Sequence, residues 1–257
     1  MAQLHDIITW CDQQLKTTEF KDYAPNGLQV EGKAHIQTLA TAVTASLDAI
    51  EQAIQLGADA LLVHHGYFWK GEADVLTGMK GKRIKALMQH DLSLIAYHLP
   101  LDAHQTWGNN VAIAERLGLS DLQHLNAQDK HPIGQIGLLA QPLSAQEFQQ
   151  LLRQAIQVEH SDTPILHLAA NKTHIQKVGF CTGAAQDYIH QAAAMGCDAF
   201  ISGEVSERTF YEAKELDVHY YACGHHATER YGVQRLGEAL AKQFGITHHY
   251  IELHNPI

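Results

Sequence analysis

Apolar and polar positions along the 257-residue chain follow two alternating periods. Ile7, Ile8, Cys11 and Leu15 recur at helical spacing and predict an amphipathic helix over residues 4–15. The stretch 22–32 (Asp-Tyr-Ala-Pro-Asn-Gly-Leu-Gln-Val-Glu-Gly) is dense in turn formers and reads as a structured loop. From Ile36 short apolar runs alternate with helix-period segments. Strands are expected around 39–44, 60–63 and 92–97, and helices around 48–56, 83–88 and 110–117. Strands separated by helices need crossover connections, so the rhythm implies parallel β-α-β units.

The middle of the chain, about 123–172, breaks that rhythm: strands at 134–140 and 164–169 flank a helix over 145–156, whose apolar face is Phe148, Leu151, Leu152 and Ile156. Loops are expected at 124–132 and 161–164. The alternation then resumes, with a helix over 206–216, a strand at 220–223, a long helix after Gly224 to about Phe244, and a last strand within 246–253. It resumes as a repeat. One constant offset lays Asp48-Ala49-Ile50-Glu51-Gln52-Ala53 over Asp187-Tyr188-Ile189-His190-Gln191-Ala192, and Gly57-Ala58-Asp59-Ala60 over Gly196-Cys197-Asp198-Ala199. Thr44 and Thr182 match only with a one-residue slip. A generic β-α-β unit could produce such a match by chance. Under the alignment His64-His65 corresponds to Gly203-Glu204. The expected fold class is therefore α/β: a two-lobed subunit of mostly parallel or mixed sheets flanked by helices, with an internal β-α-β repeat. The first lobe is expected at 1–122 with 222–257, and the second at 123–221.

Candidate chemistry collects at strand ends. The apolar run Ala60 to Val63 stops at His64 and His65, and ligands of open α/β sheets bind at the carboxyl ends of strands. Imidazole is a common ligand of borderline metals, although a histidine pair alone also suits a polar strand end. The expected strand 92–97 is followed by His98, Asp102 and His104. His225 and Glu229, four apart at the start of the long helix, lie on one face and extend backwards the stripe Val233, Leu236, Leu240, Phe244. There they are metal ligands, or else a cap and a partner of the helix dipole. His64, His65, Asp102, His225 and Glu229 make five donors, with His98 a sixth. A single catalytic zinc needs about three protein ligands. Five or six with a bridging carboxylate, for which Glu229 is the candidate, suit two ions about 3.5–4 Å apart. Two neighbouring stretches could serve a substrate: the basic run Thr77 to Arg83, also readable as a solvated turn, and Tyr67, Phe68 and Trp69, which could stack on a planar base or simply pack. His248-His249 lies in an alternating strand and is left out of the set.

Composition sharpens this reading. Hydrophobic residues at 46% and charged residues at 18% are ordinary for a globular protein. The formal charge of -10 disfavours duplex nucleic acid as a partner and leaves an anionic substrate needing a local cation, which a metal among the 19 histidines would supply. Four cysteines without close-paired spacing point to a reducing compartment. The amino terminus carries no secretory pattern and no apolar run reaches 18 residues, so a cytoplasmic location without membrane partners is expected.

Taken together, 22–32, Val63-His64-His65-Gly66, His98-Leu99-Pro100-Leu101-Asp102, Ser202-Gly203-Glu204 and Gly224-His225-His226-Ala227-Thr228-Glu229-Arg230 resemble the GTP cyclohydrolase I type 2 homologue family, also called the dinuclear metal centre protein family. The resemblance spans essentially the whole chain, with 123–172 the part its motifs do not cover. It implies two divalent metal ions (zinc, iron, manganese or nickel) on His64, His65, Asp102, His225 and Glu229, with His98 as a further ligand. It also implies a toroidal homohexamer and points to hydrolysis of a small, nucleotide-like or phosphorylated substrate; in such a reaction Glu204 or His98 is the candidate catalytic proton carrier. The alternative is a non-catalytic, metal-binding hexameric scaffold or regulatory protein.

Overall fold

Element ends are set by local chemistry. Helix α1 (Leu4–Leu15), which follows the two-residue strand β1 (Ala2–Gln3), buries Leu4, Ile7, Cys11 and Leu15 along one stripe and stops at Lys16, which turns left-handed at φ 52°. Next come β2 (Gly27–Val30), β3 (His35–Ile36), β4 (Thr38–Thr44), α2 (Leu47–Gln55), β5 (Ala60–His65), α3 (Gly78–Gln89), β6 (Ser93–Ala96) and the single turn α4 (Leu99–Asp102). The entry to α2 is capped by Ser46 Oγ, which accepts from the Ala49 N–H at 3.1 Å. The chain continues through α5 (Asn109–Arg116), β7 (Ser120–His124), β8 (Gln135–Leu143), α6 (Ala145–Ile156), β9 (Leu166–Leu168), β10 (Ile175–Phe180), α7 (Ile189–Ala194), β11 (Ala199–Ser202), α8 (Glu207–Glu215) and β12 (His219–Ala222). It closes with α9 (His225–Phe244) and β13 (Thr247–Tyr250).

The computed structural model describes residues 1–126, 128–156 and 164–257. It has two compact units, Met1–Trp107 with Arg230–Leu253, and Gly108–Glu229 with His254–Ile257. These boundaries differ from the expected 1–122 with 222–257 and 123–221. The strand β7, which the hydrophobic pattern did not reveal, pairs with β8 in the second sheet, and so the sequence just before residue 122 belongs to the second unit. The loop expected at 161–164 lies, apart from Pro164, outside the described residues.

The first unit carries a five-stranded sheet in the order β13-β4-β5-β6-β2, parallel except for β2, beside the small pair β1-β3. Ala60 and Leu62 face a core built with Ile7, Cys11, Val233, Leu236 and Leu240, whereas Leu61 and Val63 face one built with Ile50, Ala53, Ile84 and Leu87. Helices cover both faces, which explains the uninterrupted apolar run. It also confirms the predicted stripe on α9. At Gly237 a side chain would strike the His248 ring, so this helical glycine lets strand and helix approach closely. The second unit has a six-stranded mixed sheet, β7-β8-β10-β11-β12-β9, with β10, β11 and β12 parallel. Two expectations are corrected. The loop 22–32 contains the edge strand β2, antiparallel to β6, and β5 runs on through both histidines instead of ending at Val63. Among the described residues no helix is long and apolar enough to cross a membrane.

The repeat is structural. Leu39 pairs with Ala60 in β4-β5 as Val178 pairs with Ala199 in β10-β11, at the offset found in the sequence. Asp59 Oδ2 accepts from the N–H groups of Gln37 (2.8 Å) and Thr38 (3.1 Å), and its Oδ1 pairs with Lys33. Asp198 Oδ2 accepts from Gln176 (3.0 Å) and Lys177 (2.9 Å), and its Oδ1 pairs with Lys172. Gly57 and Gly196 before them are left-handed, at φ 67° and 71°. The one-residue slip at the threonines marks where the two repeats diverge: Thr44 is the last residue of β4, whereas Thr182 lies two residues past the end of β10.

Both carboxyls are held below their ordinary range. Burial opposes the charge, but the lysine and the two N–H donors outweigh it. A folded-state pKa below the unfolded one adds stability that is present above about pH 4 and is lost as pH falls through the folded value. Asp59→Ala and Asp198→Ala should therefore each lower unfolding free energy at pH 7 by roughly 1.5–3 kcal/mol, the range for hydrogen bonds to a charged group. Their deficit relative to wild type should shrink in acid. Urea titrations at pH 7 and pH 3 test this; a pH-independent deficit would rule out the carboxylate as its source.

Candidate functional site

In the first unit His64 and His65 end β5 and His98 follows β6. Because Val63 pairs with Ala96, the two strand ends are level. One nitrogen each of His64, His65 and His98 lie within 4.8 Å of one another, positioned to hold a metal ion. Nδ1 of each ring has a partner: the Tyr97 carbonyl for His64 (2.8 Å), Thr44 Oγ1 for His65 (3.2 Å) and Asp22 Oδ1 for His98 (2.7 Å). Against a carbonyl and a carboxylate the nitrogen must donate, so in the neutral rings of His64 and His98 Nε2 is the nitrogen that carries the lone pair. This is how metal-binding histidines are oriented. His64 Nε2 lies 3.4 Å from Asp102 Oδ2, and both side chains are buried. Histidine with carboxylate is a donor set that fits borderline divalent metals.

Asp22 and Asn26, which the sequence did not single out by themselves, hold His98. The Asp22 carboxylate, 4% exposed, accepts from His98 Nδ1, the Leu99 N–H (3.0 Å), Asn26 Nδ2 (2.9 Å) and the Tyr23 N–H (2.6 Å), and Asn26 Oδ1 accepts from the His98 N–H (2.8 Å). Burial opposes its charge, yet the His98 contact and the other donors hold the carboxyl below its usual range. The signal was available in 22–32, where a carboxylate stands four residues before an asparagine in a turn-rich stretch. The partner of that carboxylate lies 76 positions away, beyond what local turn chemistry reports.

In the second unit β11 leads to Glu204 and β12 leads to His225, and Ser202 pairs with Ala222 as Val63 does with Ala96. Glu204 Oε1 meets His225 Nδ1 at 2.7 Å, and His225 Nε2 meets Glu229 Oε2 at 3.0 Å, one helical turn on. Burial lowers the His225 pKa but the two carboxylates win, and it is pushed up to about 9. A proton is thus one cation these carboxylates stabilise, and a divalent ion ligated by Nε2 would satisfy the same charges. Gly183, at φ 69°, leaves room for them; a Cβ there would strike Glu229 Oε1 and come within 3.3 Å of His225 Nε2.

The structure thus gathers His64, His65, His98 and Asp102 in one unit and Glu204, His225 and Glu229 in the other. His104 is not gathered: its ring stacks on Trp107 and its Nδ1 accepts from the Thr106 and Trp107 N–H groups. In the basic run, one of the cations is committed elsewhere. Lys80 is buried, with Nζ on the Ala73 carbonyl (2.8 Å), 3.4 Å from Glu72 and over the Phe68 ring. Of the three aromatics, Tyr67 packs inside with its hydroxyl on the Ala45 carbonyl, Phe68 is partly exposed, and Trp69 lies beside His98. His248 bonds Thr41 Oγ1 at 2.8 Å within the first sheet, in keeping with its omission.

Fold and site together define an α/β protein whose histidine and carboxylate groups are positioned to hold a metal ion. The chain belongs to the Duf34/NIF3 (NGG1p interacting factor 3) family, which it matches over residues 2–256. It is 50% identical over 250 residues to the GTP cyclohydrolase 1 type 2 homolog of Vibrio cholerae, covering 96% of each chain. It is 47% identical over 256 residues to that of Allochromatium vinosum, covering 100% of this chain and 98% of the relative. Among solved structures it superimposes on one described as protein ybgI, of unknown function, with a TM-score of 0.92, 39% identity and full coverage of both chains. It superimposes on TTHA1606 from Thermus thermophilus with a TM-score of 0.88, 28% identity and full coverage of both.

Asp22→Asn removes the charge that fixes the His98 ring while preserving shape. Zinc affinity, measured by calorimetric titration of metal-stripped protein, should fall about 10–100-fold, as for loss of an outer-shell partner, with the circular dichroism spectrum unchanged. Wild-type affinity in this variant would remove Asp22 from any part in orienting a ligand.

Proposed function

We propose that the protein is a dinuclear-metal-dependent hydrolase of a nucleotide-like or phosphorylated small molecule, resembling a GTP cyclohydrolase in reaction class. The observation that supports this best is the state of the imidazoles. Within each unit a histidine has one nitrogen held by a carboxylate, His98 by Asp22 and His225 by Glu204, so that the opposite nitrogen can serve a ligand. In this reading His64, His65, Asp102, His225 and Glu229 hold two divalent ions of the zinc, iron, manganese or nickel class, with Glu229 as the shared ligand and His98 alongside. When bound, such ions lower the pKa of water and supply the positive charge that an acidic chain lacks for an anionic substrate.

The chain's own residues do the rest. Asp22 and Asn26 hold His98 from both its ring and its backbone, which fixes where its Nε2 points. The Tyr97 carbonyl does the same for His64. Glu204 has a side chain 38% exposed while still paired to His225, so it can exchange protons with solvent and is the group assigned to proton movement, with His98 the second candidate. A homohexamer with a cytoplasmic location completes the reading, and solution mass measurement tests the assembly.

Metal-loaded protein should turn over GTP or a member of a phosphoester panel, and Glu229→Gln should lose both metal and turnover by more than the ~10–100-fold cost of an outer-shell change. Metal analysis alongside a product assay checks this. Full metal occupancy with no turnover on any substrate would instead favour the non-catalytic scaffold.

A further inference from the structure

We propose that Trp69 is the substrate-facing wall of this site and that the molecule it receives carries a planar heteroaromatic ring, stacked on the indole next to His98. The inference rests on the hydrolase reading and specifies its substrate class. The Trp69 ring centre is 5.0 Å from that of His98, nearly perpendicular at 82°, and 6.0 Å from that of His65. It is only partly buried. The chain's other two tryptophans have a different setting: Trp10 and Trp107 pack on each other and, with Phe244, against the first core.

The loop bearing Trp69 is held stiff. Its indole Nε1 donates to the Gly66 carbonyl at 3.1 Å, and Glu72 Oε2 accepts from the Phe68 and Trp69 N–H groups at 2.7 and 3.1 Å. Lys80 closes the loop by meeting Glu72 and the Ala73 carbonyl. On the other side Gln29 Oε1 accepts from the Tyr67 N–H at 2.7 Å, and the Lys70 N–H donates to the Tyr23 carbonyl. Phe68 sits at φ 65°, a left-handed conformation that bulky residues adopt where the surroundings over-determine it, as at ligand clamps. Such a scaffold exceeds what a packing contact needs. With the indole N–H already engaged and Lys80 committed to the loop, Trp69 offers a substrate a π face and no charge. A flat heteroaromatic ring is complementary to it. A sugar phosphate without a base would gain less there, having no π face to stack.

Tryptophan fluorescence of the metal-loaded full chain tests this with guanosine, GTP, ribose 5-phosphate and inorganic phosphate as probes. Guanosine and GTP should quench emission, the two non-aromatic probes should not, and the quench should vanish in Trp69→Phe. Trp69→Leu should bind GTP at least about tenfold more weakly, in line with losing one stacked base, while Trp69→Phe keeps most of the affinity and both keep wild-type metal content. Three results overturn the proposal: unchanged GTP affinity in Trp69→Leu, quenching by ribose 5-phosphate equal to that by guanosine, or loss of metal in Trp69→Leu, which would make the indole a packing support for His98. The two readings fail separately. Guanosine binding through Trp69 without turnover defeats the hydrolase alone; turnover with unchanged KM in Trp69→Leu defeats the stacking wall alone.

Discussion

Parallel strands have no hairpin to set their register, so a long crossover must be locked by something else. Here one carboxylate does it in each unit. Asp59 and Asp198 stand immediately before β5 and β11 and grip two consecutive backbone N–H groups at the beginning of the neighbouring strand, while a lysine neutralises the remaining oxygen. A slip by one residue would break both N–H contacts at once and turn every side chain of the strand to the wrong face. On the other side the backbone carbonyls of the same two residues accept from the Ser93 and His219 N–H groups, where β5 meets β6 and β11 meets β12, the pairings whose level ends present His64, His65 and His98 in one unit and Glu204 and His225 in the other.

The strand ends then diverge in chemistry on a shared frame. The first unit ends in imidazoles, and the second replaces one of them with Glu204, a carboxylate that instead holds His225 at the start of α9. Each ring that could serve a ligand is thus set by a partner on a separate segment, Asp22 for His98 and Thr44 for His65. Ring direction is carried by these outer groups as much as by the histidines themselves.

Much of this was legible in the sequence, because hydrophobic period reports burial directly. The helix over 4–15, the stripe on α9 and the alternation of strand and helix all follow from which face meets the core. The repeat was also legible, since Gly57-Ala58-Asp59-Ala60 and Gly196-Cys197-Asp198-Ala199 need the same left-handed glycine and the same carboxylate. What escaped had non-local causes. The strand β2 is an edge strand among turn formers, stabilised by pairing with β6 and not by its own pattern. The strand β7 reads Ser-Asp-Leu-Gln-His and is mostly exposed, so alternation had little apolar signal to show. Lys80 looked like a solvated cation because only the fold reveals that its charge is committed to Glu72 and the Ala73 carbonyl.

The first unit is discontinuous in the chain: β13 lies beside β4, and Val233, Leu236 and Leu240 of α9 complete the core begun by α1. During synthesis the amino-terminal 107 residues therefore emerge with one sheet edge uncovered and one face of their core missing. The second unit is drawn almost entirely from one continuous stretch, so it can close its own sheet while the first still waits. The histidines at the end of β5 are among the earliest donors to leave the ribosome, yet the unit that holds them is among the last to be finished.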